Sequence, residues 1–194
     1  MTNTTPVRVG FAMCGSFCTF EKALKALERL TSLGYEVWPI LSETAYNTDT
    51  RFGKAGDWIT RAEALCGRPV IHTVAGAEPI GPRALLDVLA IAPCTGNTLA
   101  KLACGVTDTS VTMACKAHWR NSRPVVIAVS SNDALAANGQ NIGRLAVRKN
   151  VYFVPFAQDD PNGKPASLIS DLSLLPDAIE AALEGRQLQP MLIG

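Results

Sequence analysis

Small polar residues stand directly after several apolar runs of this sequence, and these are the places where it could do chemistry. Gly15, Ser16 and Phe17 follow the run over 7–13, and Ser42 and Thr44 follow the run over 35–41. Pro93 to Thr98, which include Thr95, Gly96 and Asn97, follow 85–92. Ser130, Ser131 and Asn132 follow 125–129, and residues 156–160 follow 151–155. Hydroxyls, amides and glycines of this kind suit an anionic phosphate held by backbone N–H groups and a helix N-terminus. They equally suit a turn and a helix cap, so both readings of Gly15-Ser16 stand. In the second cluster two hydroxyls and an amide can bond the polar edge of a heteroaromatic ring, with Pro93 and Leu99 as apolar contacts. The alternative there is capping by Thr95 or Asn97. The phosphate fingerprints GxGxxG and GxxxxGK[ST] are absent, which disfavours a dinucleotide site and a nucleoside triphosphatase on this chain.

Other reactive side chains are few. The cysteines are Cys14, Cys18, Cys66, Cys94, Cys104 and Cys115, and the histidines are His72 and His118. Cys14 and Cys18 are spaced CxxxC, not CxxC, and no metal site is expected. In a large apolar chain the thiols read as free. Cys14 and Cys18 flank a helix start, which lowers a thiol pKa, but packing explains them as well.

The elements that would position these clusters alternate. Strands are expected at 7–13, 35–41, 70–74, 85–92, 125–129 and 151–155. Helices are expected at 19–33, 57–66 with Asp57 as N-cap, 97–104, 108–121, 138–149 and 176–183. Phe20, Ala23, Leu24, Leu27 and Leu30 carry the helical spacing of the first, and Gly34 ends it. The near-continuous apolar run 85–92 fits a central parallel strand buried on both faces. Such alternation predicts an α/β fold: a three-layer, doubly wound parallel sheet of flavodoxin or Rossmann type, as one domain over 1–194. In that fold ligands bind beyond the carboxyl ends of the strands, near the switch point, where the polar clusters fall. His72 and His118 do not fall there and read as structural.

Composition narrows the class further. The chain has 194 residues, 47% hydrophobic and 18% charged, with net charge +1. No basic cluster of the kind that binds nucleic acid is present. No apolar run approaches the ~20 residues of a membrane span, and Met1 to Pro6 lack the pattern of a signal peptide, so a cytoplasmic location is expected.

The Gly15-Ser16 turn, with Ala92-Pro93-Cys94-Thr95-Gly96-Asn97-Thr98 followed by Ala100-Lys101-Leu102-Ala103 and Asp108, resembles the flavin-containing cysteine decarboxylase family. Longer strings extend the resemblance over almost the whole chain: Asn47 to Gly53, Ala77 to Pro82, Ser131 to Leu135, Pro155 to Pro161 and Gln187 to Pro190. The resemblance implies FMN, with its phosphate on the Gly15-Ser16 turn and its ring at Asn97-Thr98, and a homo-oligomer with the flavin where two copies meet. The longer strings are similar to the branch that forms dipicolinate, pyridine-2,6-dicarboxylate, in bacterial spores. That branch implies a separate A subunit carrying NAD(P), and oxidation of a dihydrodipicolinate-like precursor. Within the matched stretches Arg51 is a candidate partner for a substrate carboxylate, since Arg pairs with carboxylates bidentately. A surface or subunit-contact role is the alternative. Asn132 suits a second carboxylate or the flavin edge. Asp159 and Asp160 offer a base, or an Asx turn before Pro161. The decarboxylases place a histidine in the loop after the second strand; here that loop, Ser42 to Asn47, has none, and Ser130-Ser131 replace the residues before the family asparagine. Three readings follow: a flavin-binding oxidoreductase subunit, a non-catalytic partner of the A subunit, or a stand-alone decarboxylase, which the missing histidine weighs against.

Overall fold

The computed structural model describes residues 5–194; residues 1–4 of the polar N-terminal stretch lie outside them. Five parallel strands form the frame. They are β1 (Arg8–Met13), β2 (Glu36–Leu41), β3 (Val88–Cys94), β4 (Val125–Ser131) and β5 (Val151–Phe153), side by side in the order β2-β1-β3-β4-β5. This is the doubly wound flavodoxin-like order, and it reverses direction between β1 and β3. Every residue of β3 is buried, as a strand covered on both faces requires.

Helices cover the two faces. On one side lie α1 (Phe20–Ser32), α3 (Ala55–Cys66) and α8 (Leu175–Leu183), which bury Phe20, Leu24, Leu27, Trp58 and Ile179 against the sheet. On the other lie α4 (Val74–Ala77), α5 (Gly96–Cys104), α6 (Ser110–Trp119) and α7 (Gly139–Ala146), whose Leu99, Leu102, Val111, Ala114 and Leu145 meet Ile91, Ile127 and Phe153. The short α2 (Glu43–Asn47) follows β2 directly.

Several expected boundaries move for identifiable reasons. Helix α3 starts before Asp57, which lies in its first turn and is not the N-cap. The carboxylate of Asp49 accepts the Ala55 N–H at 2.8 Å and starts the helix earlier. The strand expected at 70–74 is reduced to one bridge, Ile71 to Ile40, because Thr73 then caps α4 by accepting from Gly76 N. Strand β3 begins at Val88, not at 85, and runs on to Cys94; β4 runs on through Ser130 and Ser131.

The largest correction concerns 156–160. These residues do not form a loop after the last strand. They are β6 (Phe156–Asp160), paired antiparallel with β7 (Lys164–Ser170), which also pairs antiparallel with the end of β4 through Ser130–Ile169 and Ser131–Leu168. The sheet is therefore mixed, with seven strands, and the hairpin stands at the carboxyl end of β4. Asp160 closes its turn by accepting from Gly163 N at 2.9 Å.

Candidate flavin site

The carboxyl ends of β1, β3 and β4 and the hairpin β6–β7 enclose a cleft of about 1010 Å³. It lies beside the switch point of the sheet, where ligands bind in this architecture. The Ser16 turn and the Thr95–Asn97 junction both line it.

The turn after β1 is built around three hydroxyls. Ser16 Oγ lies 2.8 Å from Ser130 Oγ, and Thr19 Oγ1 lies 2.8 Å from Ser16 Oγ and 3.1 Å from Ser130 Oγ. Ser16 and Thr19 stand at the N-caps of the short 3-10 turn Phe17–Thr19 and of α1, yet neither side chain caps. The capping explanation therefore does not hold for Ser16: its hydroxyl is turned toward the end of β4. Thr19 also donates to Ser16 O at 2.8 Å and is buried, so the Ser16 and Ser130 hydroxyls, beside the N–H groups that open the turn, form the donor set suited to phosphate oxygens. The sequence pattern does not single out Thr19, because its partner Ser130 lies 111 residues away.

At the second junction capping and lining coexist. Thr95 accepts the Thr98 N–H at 3.3 Å and also lines the cleft with Gly96 and Asn97. A Cβ on Gly96 would lie 2.5 Å from Asn138 Nδ2, 2.6 Å from Ser131 Oγ and 2.7 Å from Asp133 Oδ1, so only glycine fits there. Asp133 accepts from Ser131 Oγ and, at 2.7 Å, from Asn138 Nδ2. This aspartate, inside the matched string Ser131 to Leu135 and beside the expected Asn132, also lines the cleft, a role its residue type alone does not indicate.

Three expected ligand contacts do not line the cleft. Ser42 is buried and caps α2, accepting from Ala45 N at 3.2 Å. Thr44 sits within α2, with its methyl toward Gly15. Thr98 is buried and donates to Cys14 Sγ at 3.2 Å. By contrast Gly15, Phe17, Ser130, Ser131, Arg51 and Asn132 all line it.

The cleft carries both signs of charge. Arg51 stacks over Phe52, 4.9 Å from the ring centroid. Lys164 pairs with Asp159 at 2.8 Å, and the carboxylate raises the lysine pKa. Below the floor Cys14 and Cys94 are buried neighbours. The hydrogen bond from Cys94 holds the Cys14 thiol low, while burial pushes Cys94 well up. Both histidines lie elsewhere. His72 stacks on Tyr46 with centroids 3.7 Å apart, outside any strand. His118 is buried in α6 with Nε2 3.0 Å from Pro124 O, and burial pushes its pKa down to about 4.

The fold and the cleft at its switch point match a known family: the Flavoprotein family model matches residues 1–174, and the chain belongs to that family. Over its whole length it is similar to the B subunit of dipicolinate synthase of Bacillus subtilis (strain 168), with 46% identity over 193 residues, covering 96% of that protein. The crystal structure of the dipicolinate synthase B subunit from Bacillus halodurans C shares 46% identity and superposes with a TM-score of 0.89, over 97% of this chain and 96% of that one. The FMN-dependent cysteine decarboxylase SpaF shares the fold, with a TM-score of 0.68 at 24% identity over 92% of this chain and 95% of that one. Among the described residues no helix is long and apolar enough to cross a membrane.

Proposed function

We propose that the cleft holds FMN and that the chain acts as the B subunit of a dipicolinate synthase, oxidising dihydrodipicolinate to dipicolinate together with a nicotinamide-dependent A subunit. The observation that carries the proposal is the meeting of the Ser16 turn and the Thr95–Asn97 junction in one cleft. Membership of the Flavoprotein family and the full-length similarity to the B subunit of dipicolinate synthase support it.

The residues present fit the cofactor. The Ser16 and Ser130 hydroxyls, with the N–H groups of Phe17 and Cys18 at the start of the turn, would hold the phosphate through charge-assisted hydrogen bonds, and buried Thr19 would fix both hydroxyls from beneath. Thr95, Gly96 and Asn97 would meet the ring, and the missing Cβ at Gly96 lets Ser131, Asp133 and Asn138 close against the junction that holds it. The flavin would supply a two-electron acceptor for aromatisation of a dihydropyridine.

The chain's own part is binding and orientation, since aromatic stabilisation drives the step once the ring is aligned. The substrate is a dianion. Arg51 on one wall supplies a bidentate partner for one carboxylate, and Asn132 an amide for the second. Lys164 adds a second cation once Asp159 is displaced from it. The proton leaving the ring needs a base, and Asp159, freed from Lys164, lines the same cleft. Asp160 is committed to the hairpin turn.

The test is turnover of dihydrodipicolinate with NAD(P) by this chain alone, by the isolated A subunit, and by the mixture, each with and without added FMN. Activity that needs both chains and FMN supports the proposal. Full activity of the isolated A subunit overturns it. A mixture that works with this chain stripped of flavin reduces the chain to a non-catalytic partner.

A further inference from the structure

A second cavity, of about 310 Å³, lies away from the cleft between the end of α5, the body of α6 and the segment after α7. Its apolar wall is Leu102, Val106 and the Trp119 ring. Its polar wall is cationic: Lys116 and Arg120 are one turn apart at the end of α6, and Arg148 enters from the opposite side. No carboxylate lines the cavity, and among the described residues none of these three cations is in an ion pair.

One further feature makes this more than a charged surface. The guanidinium of Arg148 lies over the Trp119 ring, 3.9 Å from its centroid, so one cation is already fixed in place at the mouth. The Trp119 ring itself lines the cavity, while its indole N–H is shielded, as are those of Trp38 and Trp58. Cations without an ion-pair partner and an apolar wall around one half-open cavity fit a ligand with an anionic edge and a flat apolar body. The volume is at the lower end of small-molecule sites.

We propose that this cavity is a second ligand site, for a small aromatic carboxylate. The carboxylate pairs with Arg148 and with Lys116 or Arg120. The ring packs against Leu102, Val106 and Trp119. Binding here is independent of the cleft, since no residue is shared between the two linings.

The test uses the full chain and 2-naphthoate as probe, with its neutral amide as control. Binding is followed by calorimetry and by the indole N–H signals of the three tryptophans, with Trp119 assigned by Trp119→Phe. A saturable shift of the Trp119 signal alone is expected, and 2-naphthamide should not produce it. Arg148→Gln, or the pair Lys116→Gln and Arg120→Gln, should weaken binding at least about tenfold, as loss of a charge-assisted contact predicts. These cations are exposed, so unchanged signals of Trp38 and Trp58 report that the variants fold. Arg51→Gln should leave binding unchanged. The proposal is overturned if the Trp119 signal does not move, if the amide binds as well as the acid, or if Arg51→Gln abolishes binding, which would place the probe in the cleft.

Discussion

The hydroxyls of Ser16 and Ser130 meet at 2.8 Å although 114 residues separate them in the chain. One follows β1 and the other ends β4, so the contact exists only because the sheet brings those two ends to one rim. Thr19 completes the group from below, 3% exposed. In the flavin reading the Ser16 and Ser130 oxygens face the phosphate of the cofactor, and Thr19 holds them in place. Ser16→Ala or Ser130→Ala should then weaken FMN binding by about 1.5–3 kcal/mol, the worth of a hydrogen bond to a charged group. Riboflavin, which lacks the phosphate, should bind wild type and variants alike. Titration of flavin fluorescence checks both. Equal loss for FMN and riboflavin would assign the hydroxyls to the fold instead.

Cys18 is exposed and lines the cleft, whereas Cys104 is exposed outside it. In thiol labelling both should react fast in the native chain. Cys66, half-buried and pushed up to about 12 by desolvation, should lag. Cys14, Cys94 and Cys115 should wait for unfolding. Added FMN should slow Cys18 and leave Cys104 unchanged; mass spectrometry of labelled peptides distinguishes the two. Equal rates at Cys18 with and without saturating FMN would move the flavin elsewhere.

Gly96 has no room for a methyl group, with three polar atoms within 2.7 Å of the Cβ position. Gly96→Ala should cost about 1–3 kcal/mol through overpacking, seen as a drop of several degrees in Tm. It should also disturb flavin binding, because Ser131, Asp133 and Asn138 must shift. A variant with wild-type Tm would mean that the network relaxes freely.

His118 links stability to pH. Folded, it is neutral, with a pKa of about 4, because burial penalises the charged form. Unfolded, it titrates near 6.5. Between these values the unfolded chain binds the extra proton, so this contribution is present above about pH 6.5 and is lost as pH falls toward 4. At ~1.4 kcal/mol per unit the full shift amounts to roughly 3.5 kcal/mol. Asp87 and Glu21, held low by hydrogen bonds with Arg8 and Arg61, lose their own contributions at the acid end, so the comparison with a His118 variant isolates the imidazole. Denaturant unfolding at pH 4.5 and 7.5 should show the slope, and His118→Gln, which can still donate to Pro124 O, should flatten it. An unchanged slope would assign the effect to other groups.

Much of this arrangement is legible in the sequence, and the reasons are local. The apolar runs of β1, β2, β3 and β4 and the spacing of Phe20, Leu24, Leu27 and Leu30 in α1 report burial directly. Gly15, Ser16, Thr95, Gly96 and Asn97 stand out because they lie at strand ends, where this topology opens a cleft. The hairpin is not legible: β6 ends in exposed Gln158, Asp159 and Asp160, and β7 opens on exposed Lys164 and Pro165, so neither half reads as a strand. With the hairpin hidden, Lys164 cannot be placed in the cleft. Ser42 and Thr98 mislead because a hydroxyl after a strand can serve a helix cap or a buried thiol as well as a ligand.

Calorimetric titration of the purified, flavin-free chain with FMN tests the central claim most directly. The account predicts saturable binding of one FMN per chain, weakened by Ser16→Ala. Absence of binding, or binding indifferent to that substitution, would contradict it.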